Sequence, residues 1–241
     1  MEPRIAIIFI GTKKYIDFFE SYYSSINKFF LPKTHKDFFV FTDQPEHKSL
    51  KADNLIITEI EHEEWPYVTL KRFHYILKQE EKLKEYSDII FIDSDMEAVD
   101  EISEDWLSMY HSLFGVQHPG QAIYGLADFE TNEESLACVP SGTTNENTAY
   151  KQGCFWGGKN PDILEFINLM KQRIDDDLSV NVVARWHDES HLNKGFIDFK
   201  DKVTVFHSGF AYPENWEMVF PKLLIHKDKN MKDYPRFKGV K

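Results

Sequence analysis

Two aspartates separated by one residue follow directly after a short apolar run. Residues 89–92 are Ile, Ile, Phe and Ile, and they lead into Asp93, Ser94 and Asp95. Such a run without polar alternation predicts a strand that is buried on both faces of a mostly parallel sheet. Carboxylates at the carboxyl edge of that sheet could hold Mg²⁺ or Mn²⁺ and, through the ion, the phosphates of a nucleotide. Aspartate is also common in turns and caps, so the motif alone leaves both interpretations open.

A second group of ionisable residues lies at His187, Asp188, Glu189 and His191. One interpretation is a capped helix start with an exposed polar face. Another is a zinc hydrolase, because the two histidines are four residues apart, but Asp188 replaces the Glu of that motif and no third ligand is evident. A third is that Asp188 and Glu189 act beside a sugar, where a carboxylate stabilises or attacks positive charge at the anomeric carbon.

The elements that would position these residues alternate along the first 95 residues. Apolar runs predict strands, and helical periodicity predicts helices, in the order β-α-β-β-α-β. The strands cover residues 5–10, 37–43, 55–60 and 87–95, and the helices cover 16–30 and 67 to about 86. This order predicts an α/β layered fold with a Rossmann-like, mostly parallel sheet. The glycine fingerprint of dinucleotide enzymes and the G-x-x-x-x-G-K-[ST] loop are both missing, so a nucleotide would be bound in another way.

Beyond residue 96 the pattern is looser. Residues 141–148 form a polar stretch, residues 153–158 predict a strand that ends in paired glycines, and residues 161–175 predict the clearest helix. A last strand is predicted at residues 202–206. We find no internal repeat and no linker, and therefore predict one domain.

The composition is that of a folded, acidic protein. Hydrophobic residues make up 42% and aromatic residues 15% of the 241 positions, which excludes a disordered chain. A net charge of −12 argues against a general nucleic-acid binder. No apolar run is long enough for a membrane span, and residues 5–10 are better explained as a strand than as a signal peptide. With only two cysteines, we expect a soluble, cytoplasmic protein.

Several segments, in order along the chain, resemble one known family. Residues 186–194, W-H-D-E-S-H-L-N-K, look like the signature of glycosyltransferase family 6, which includes the histo-blood-group A and B transferases and the α-1,3-galactosyltransferase. Residues 14–16 resemble its G-K-Y-I, and Trp65 and Arg72 match its W…R pair. Residues 93–95 stand where the family has D-x-D, and Gly157-Gly158 ends a segment that resembles its F-x-G-G. The similarity extends from about residue 4 to 230 and is that of a small soluble bacterial- or phage-type member.

The resemblance implies a single-domain GT-A fold, with a Rossmann-like mixed sheet flanked by helices. Within residues 1–241 it implies a nucleotide-binding half (1–95), an acceptor and catalytic half (96–226) and a basic tail (227–241). It also implies a retaining enzyme that moves galactose or N-acetylgalactosamine from UDP-Gal or UDP-GalNAc to a galactoside-containing oligosaccharide in α-1,3 linkage.

Roles follow by position from the same resemblance. Glu189 would be the nucleophile or the cation stabiliser, and Asp188 would bind hydroxyls of the donor sugar. Mn²⁺ or Mg²⁺ at Asp93 and Asp95 would stabilise the departing UDP. Tyr15 would stack on uracil. The residues expected to bind the donor nucleotide are Ile10, Gly11, Thr12, Tyr15, Arg72, Ser94, Lys229 and Arg236. Those expected to contact the donor sugar or the acceptor are His118, Cys154, Trp186 and His187.

Departures from the family's pattern sharpen some expectations and remove others. Several bacterial members have N-x-N and work without metal, whereas both aspartates are present here, so we predict metal dependence. Cys154 stands at the Gly/Ala position that separates GalNAc from Gal donors, and its bulk favours Gal. Lys13 stands where the family usually has Gly, so the geometry of the loop at the uracil is not carried over. Residues 130–135 keep little of the family's F-T-Y-E-R-R, so the identity of the acceptor is not carried over either. The alternative is a non-catalytic module that binds UDP-sugars or carbohydrate, against which the retained charged residues argue.

Overall fold

A mixed seven-stranded sheet forms the centre of the molecule. The structure is a computed structural model that describes residues 3–145 and 148–229. The strands are β1 (Ile5–Ile10), β2 (Lys36–Thr42), β3 (Leu55–Glu59), β4 (Asp88–Ile92), β6 (Leu113–Gln117), β7 (Lys151–Lys159) and β8 (Val203–Phe206). They run in the order β3-β2-β1-β4-β7-β6-β8, with β1 to β4 parallel and β7 antiparallel to both neighbours. The predicted α/β fold with a mixed sheet is confirmed.

Side chains of the central strands alternate between two apolar layers. Phe9 of β1 and Ile92 of β4 enter one layer, while Ile8 and Phe91 enter the other. Helix α1 (Phe19–Phe29) covers the first layer, and α6 (Asp162–Ser179) and α7 (His187–Asp198) cover the second. Both faces of β4 are therefore buried, which explains its uninterrupted apolar run.

Two helices differ from the prediction. A 3₁₀ turn at Lys13–Phe18 precedes α1, so the α-helix begins later than residue 16. The helix predicted from 67 to about 86 is divided into α2 (Tyr67–Leu70), α3 (Arg72–Leu77) and α4 (Glu80–Leu83). The breaks fall at Lys71 and Gln79, whose side chains bond to Glu63 and Thr58 of the preceding segment. Contacts with a neighbouring segment therefore override the helical periodicity.

A small second sheet continues from the end of β4. It contains β5 (Met96–Ala98), β9 (Tyr212–Pro213) and β10 (Leu224–His226), and β10 is antiparallel to β5. These strands, β6 and the short helix α5 (Pro119–Tyr124) were not predicted. Because β5 begins immediately after Asp95, its pairing returns the residues that follow β10 to the two aspartates. In the described part of the chain, no helix has the length and apolar character needed to cross a membrane.

Candidate active site

Two adjoining cavities lie where β1 and β4 end. The first has a volume of about 310 Å³ and the second about 210 Å³. Trp65, Thr69, Arg72 and Asp93 line both of them and so form a shared wall. Parallel strands bring their carboxyl ends to one edge of a sheet, which is why residues distant in sequence meet here.

The first cavity gathers most of the residues expected to bind the nucleotide. Those that line it are Ile10, Thr12, Tyr15, Arg72, Ser94 and Lys229, together with the expected metal ligands Asp93 and Asp95. Gly11 is not part of the lining. Its amide donates to the Phe41 carbonyl at 3.0 Å, and an added Cβ would lie 2.5 Å from the Phe9 ring, so Gly11 permits the turn after β1. Arg236 lies outside the described residues.

Lys13 adopts the backbone conformation that glycine favours. Its φ angle is +49°, in the left-handed region. The Lys13 amide donates to Asp43 Oδ1 at 2.8 Å, and the Gln44 side chain donates to the Lys13 carbonyl at 2.7 Å. The turn expected of the family's glycine is therefore made by a lysine held from both sides.

The second cavity contains the residues expected at the sugar. Cys154, Trp186, His187, Asp188 and Glu189 line it, together with Gln152, Gly153 and His226. His118 lines neither cavity. Its ring caps α5 by accepting the Gly120 amide at 2.9 Å, and it lies 5.9 Å from the Tyr150 ring. The Tyr150 hydroxyl in turn contacts Glu189 of the cavity lining, so one side chain separates His118 from the cavity.

Asp95 is paired with two basic side chains. Lys229 Nζ lies 2.6 Å from Asp95 Oδ2, and His226 Nε2 lies 3.1 Å from Oδ1. The Lys227 amide donates to the Asp95 carbonyl at 2.9 Å. Burial acts to raise the pKa of Asp95, but His226 and Lys229 together hold it well below its ordinary value. Asp95 is therefore an ionised, charge-compensated carboxylate.

Asp93 and Asp95 suit a divalent ion whose remaining ligands are phosphate oxygens and waters. Mg²⁺ and Mn²⁺ prefer oxygen ligands, and Mg²⁺ commonly binds through one or two carboxylates plus phosphates and waters. Within residues 3–145 and 148–229, no group of three His, Cys, Asp or Glu side chains could hold a metal on its own. Asp95 Oδ1 is buried and makes no aligned hydrogen bond despite the nearby His226. The aspartates thus fit an ion carried by a diphosphate.

Arg72 connects the two cavities. Its Nη1 donates to the Gly153 carbonyl at 2.6 Å, and its Nε lies 2.8 Å from Asp188 Oδ2. The Nε contact is an ion pair rather than an aligned hydrogen bond. The guanidinium also lies over the Phe91 ring, 4.6 Å from its centroid. A permanently charged group is thereby fixed in the shared wall.

Buried Asp188 and half-buried Glu189 are carboxylates in the first turn of α7. Glu189 accepts the Tyr150 hydroxyl at 2.9 Å and the Gly153 amide at 2.8 Å. Burial raises the pKa of Glu189 against the opposing effect of these two bonds. Burial also raises the pKa of Asp188 to about 7, although the charge of Arg72 acts to lower it. Such perturbed carboxylates in a cavity are typical of a catalytic site.

The two histidines of the zinc interpretation face different partners. The His187 ring packs edge-on against Trp65, with 4.8 Å between centroids. His191 is fully buried, and its Nε2 lies 3.6 Å from Asp177. The geometry lends no support to a shared metal between them, and His191 is a core residue.

Several residues that line the cavities or contact their lining could not be predicted from the sequence. His62 and Gln152 belong to no motif, and Tyr150 reaches Glu189 from 39 positions away. His226 lies in a strand of three residues. Contacts between distant segments identify these residues, and no local pattern in the sequence could have done so.

Comparison with known proteins places the chain among sugar transferases. The sequence profile of glycosyltransferase family 6 matches residues 3–224. The chain is 31% identical over 232 residues to the O-antigen biosynthesis glycosyltransferase WbnI of Escherichia coli, covering 95% of this chain and 97% of that protein. It is 27% identical over 231 residues to the histo-blood group ABO system transferase 1 of Rattus norvegicus, which covers 91% of this chain and 64% of that protein. It is 25% identical over 209 residues to the globoside alpha-1,3-N-acetylgalactosaminyltransferase 1 of Homo sapiens, which covers 81% of this chain and 57% of that protein. The chain thus spans less than two thirds of these vertebrate relatives.

Proposed function

The chain belongs to glycosyltransferase family 6, and from that membership we propose a retaining transferase of galactose or N-acetylgalactosamine. The donor is UDP-Gal or UDP-GalNAc, and the acceptor is a galactoside-containing glycan that receives the sugar in α-1,3 linkage. The name of the globoside relative, an alpha-1,3-N-acetylgalactosaminyltransferase, supports this linkage. Residues 1–241 act as one GT-A domain, with residues 1–95 for the nucleotide, 96–226 for acceptor and catalysis, and 227–241 as a basic tail.

The shared wall of the two cavities is the observation that carries this proposal. One cavity combines an aromatic ring, Tyr15, with the aspartates and Lys229. The other contains Glu189 and Asp188. A nucleotide-sugar has the same division, with an aromatic base and a charged diphosphate joined to a polar sugar. Its reactive bond lies between the last two parts, where the cavities meet.

Charge compensation in the first cavity suits a departing diphosphate. Mn²⁺ bound at Asp93 and Asp95 would supply Lewis-acid stabilisation of that leaving group. Arg72 adds a fixed positive charge, and the Lys229 ammonium can turn from Asp95 towards a phosphate oxygen. Ring stacking on Tyr15 holds the base.

Glu189 provides negative charge in the second cavity, where positive charge develops at the anomeric carbon. The Tyr150 hydroxyl and the Gly153 amide orient its carboxylate and favour the ionised form. Asp188, fixed by Arg72, binds hydroxyls of the donor sugar. Cys154 is buried directly beside the aspartates, since its carbonyl accepts the Asp93 amide at 2.8 Å, and its side chain favours Gal over GalNAc.

The test is UDP release from UDP-Gal and from UDP-GalNAc with a panel of galactosides as acceptors. We expect activity that EDTA abolishes and Mn²⁺ restores, with UDP-Gal the better donor. Activity that is unchanged in EDTA would contradict the role of the metal while leaving the transferase assignment intact. Calorimetric binding of either UDP-sugar without hydrolysis or transfer would instead favour a non-catalytic binding module.

A further inference from the structure

His226 reaches the two aspartates of the site from the small second sheet. In the antiparallel pair of β5 and β10 it lies opposite Met96, the residue directly after Asp95. The backbone around His226 is fixed, because the Lys227 amide donates to the Asp95 carbonyl at 2.9 Å and the Glu214 amide donates to the His226 carbonyl at 3.0 Å. Strand pairing therefore places this ring beside Asp95.

The contact between the ring and the carboxylate differs from an ordinary hydrogen-bonded ion pair. His226 Nε2 lies 3.1 Å from Asp95 Oδ1, yet Oδ1 is buried and has no aligned hydrogen bond from any described residue. Two ligands at right angles around an octahedral ion, each about 2.1 Å from it, are about 3.0 Å apart. The nitrogen and the oxygen thus have the separation of adjacent ligands of one ion.

This pair lies where the two cavities adjoin. Asp95 lines the first cavity, His226 lines the second, and Asp93 lines both. Lys229 is paired with the other carboxylate oxygen, Oδ2, and so leaves Oδ1 to the ring. Since no three such side chains of the described ranges could hold a metal on their own, phosphate oxygens and waters would complete the coordination. This step rests on the proposed function, because it takes a divalent ion and a diphosphate as ligands.

We propose that His226 is a nitrogen ligand of the divalent ion at Asp93 and Asp95, and that it makes the site prefer Mn²⁺ to Mg²⁺. Imidazole is a ligand of transition metals, whereas Mg²⁺ takes oxygen ligands. A ligating imidazole nitrogen carries no proton. The ion therefore takes the place of a proton on Nε2, and that proton passes to solvent.

The alternative role for His226 is that of a counter-charge for Asp95, like Lys229. The two roles predict opposite effects of removing the ring. Loss of a ligand weakens metal binding, whereas loss of a competing cation leaves the carboxylate more available and tightens it. A role in holding the tail alone would leave no nitrogen on the ion.

Electron spin-echo envelope modulation of Mn²⁺ bound to the full chain with UDP detects nitrogen coordination directly. We expect modulation from ¹⁴N that changes to that of ¹⁵N when the histidines are labelled. His226→Asn, whose side chain is too short to reach the position of Nε2, should lose this modulation. His187→Asn, a matched change in the lining of the same cavity, should retain it.

Metal affinities give a second measurement on the same proteins. His226→Asn should weaken Mn²⁺ binding by about tenfold or more without weakening Mg²⁺ binding, and His187→Asn should change neither. Coordination by oxygen alone in the wild type, or tighter Mn²⁺ binding in His226→Asn, would overturn this inference and leave the transferase activity standing. Nitrogen coordination without sugar transfer would overturn only the proposed transferase activity. A wild type that binds no Mn²⁺ with UDP would overturn both this inference and the proposed metal dependence.

Discussion

At the scale of single residues, the candidate site concentrates charges in places where burial makes them costly. Asp188 and Asp95 are 4% and 2% exposed, and Arg72 is 7% exposed. Arg72 and Asp188 pair with each other, and removing either would leave the other buried without its opposite charge, whereas Asp95 has two cations close by, Lys229 and His226. Such an arrangement is expected where the charges serve binding or catalysis at the expense of stability.

Glu189→Gln tests separately what the Glu189 charge contributes to activity and what it costs in stability. We expect transfer to fall by about 100-fold or more while UDP still binds, because Glu189 lines the second cavity, where we propose that the sugar lies, and not the first. Burial raises the pKa of Glu189, so ionisation destabilises the fold, fully so above the raised pKa and not at all below the ordinary one. The variant should therefore melt at a higher temperature than the wild type near pH 8, with the difference vanishing as the pH falls below about 4.

The matched control is Glu133→Gln, which neutralises an exposed glutamate. It should leave both transfer and the melting temperature unchanged. Normal turnover of Glu189→Gln in the same assay would remove Glu189 from the chemistry.

Lys229→Met tests whether the tail lysine competes with the metal for Asp95. The ammonium lies 2.6 Å from Asp95 Oδ2, so its removal should tighten Mn²⁺ binding to the nucleotide-free protein by about tenfold. Binding of UDP should weaken, because a counter-charge for the diphosphate is lost. Free Mn²⁺ measured by electron paramagnetic resonance gives the first affinity, with Lys222→Met, outside the lining of both cavities, as the control. Equal Mn²⁺ affinity in all three proteins would show that Lys229 does not compete.

At the scale of elements, whether a strand could be predicted from the sequence depends on whether local residues or distant segments stabilise it. The strands at residues 5–10 and 87–95 could be predicted because both of their faces are buried, which gives each an uninterrupted apolar run. Strands of two or three residues such as β9 and β10 exist only through pairing with distant segments, so local sequence carries no signal for them. The site divides in the same way. Residues in motifs, such as Asp93 and Glu189, could be predicted, whereas Tyr150 and His62 are recruited by tertiary contacts.

Gly157→Ala tests the close packing of β7 between its neighbours. A Cβ at this position would lie 2.4 Å from the Ile89 carbonyl oxygen, a backbone atom of β4 that can move only with its strand. We expect the free energy of unfolding, measured in urea, to fall by about 2–3 kcal/mol. Val219→Ala, at a residue that is 96% exposed, should change it by less than about 0.5 kcal/mol. An equally small loss for Gly157→Ala would mean that the strands are not this closely packed.

At the scale of the whole molecule, the pH dependence of stability should include one buried histidine. Burial lowers the pKa of His191 to about 3, and neither ring nitrogen has a hydrogen-bond partner among the described residues. Between about pH 6.5 and 3 the unfolded chain binds a proton that the folded chain does not, so this contribution to stability is lost as the pH falls.

His191→Leu should therefore flatten the acid side of the stability curve. The slope of the unfolding free energy against pH should decrease by up to about 1.4 kcal/mol per pH unit, the effect of one proton. Urea unfolding at several values between pH 7 and pH 4 measures this slope. Other histidines with lowered pKa values, such as His118 and His187, would keep part of it. An unchanged slope would show that His191 does not titrate on unfolding.

The wall shared by the two cavities also has a kinetic consequence. Trp65, Thr69, Arg72 and Asp93 line both spaces, so a sugar-nucleotide bound across the two cavities, as proposed above, would complete the surface that the acceptor meets. Substrates should then add in a compulsory order, donor first. UDP should be a competitive inhibitor against the donor, and an unreactive acceptor analogue should be uncompetitive against the donor. Noncompetitive inhibition by that analogue would indicate that the acceptor can bind before the donor.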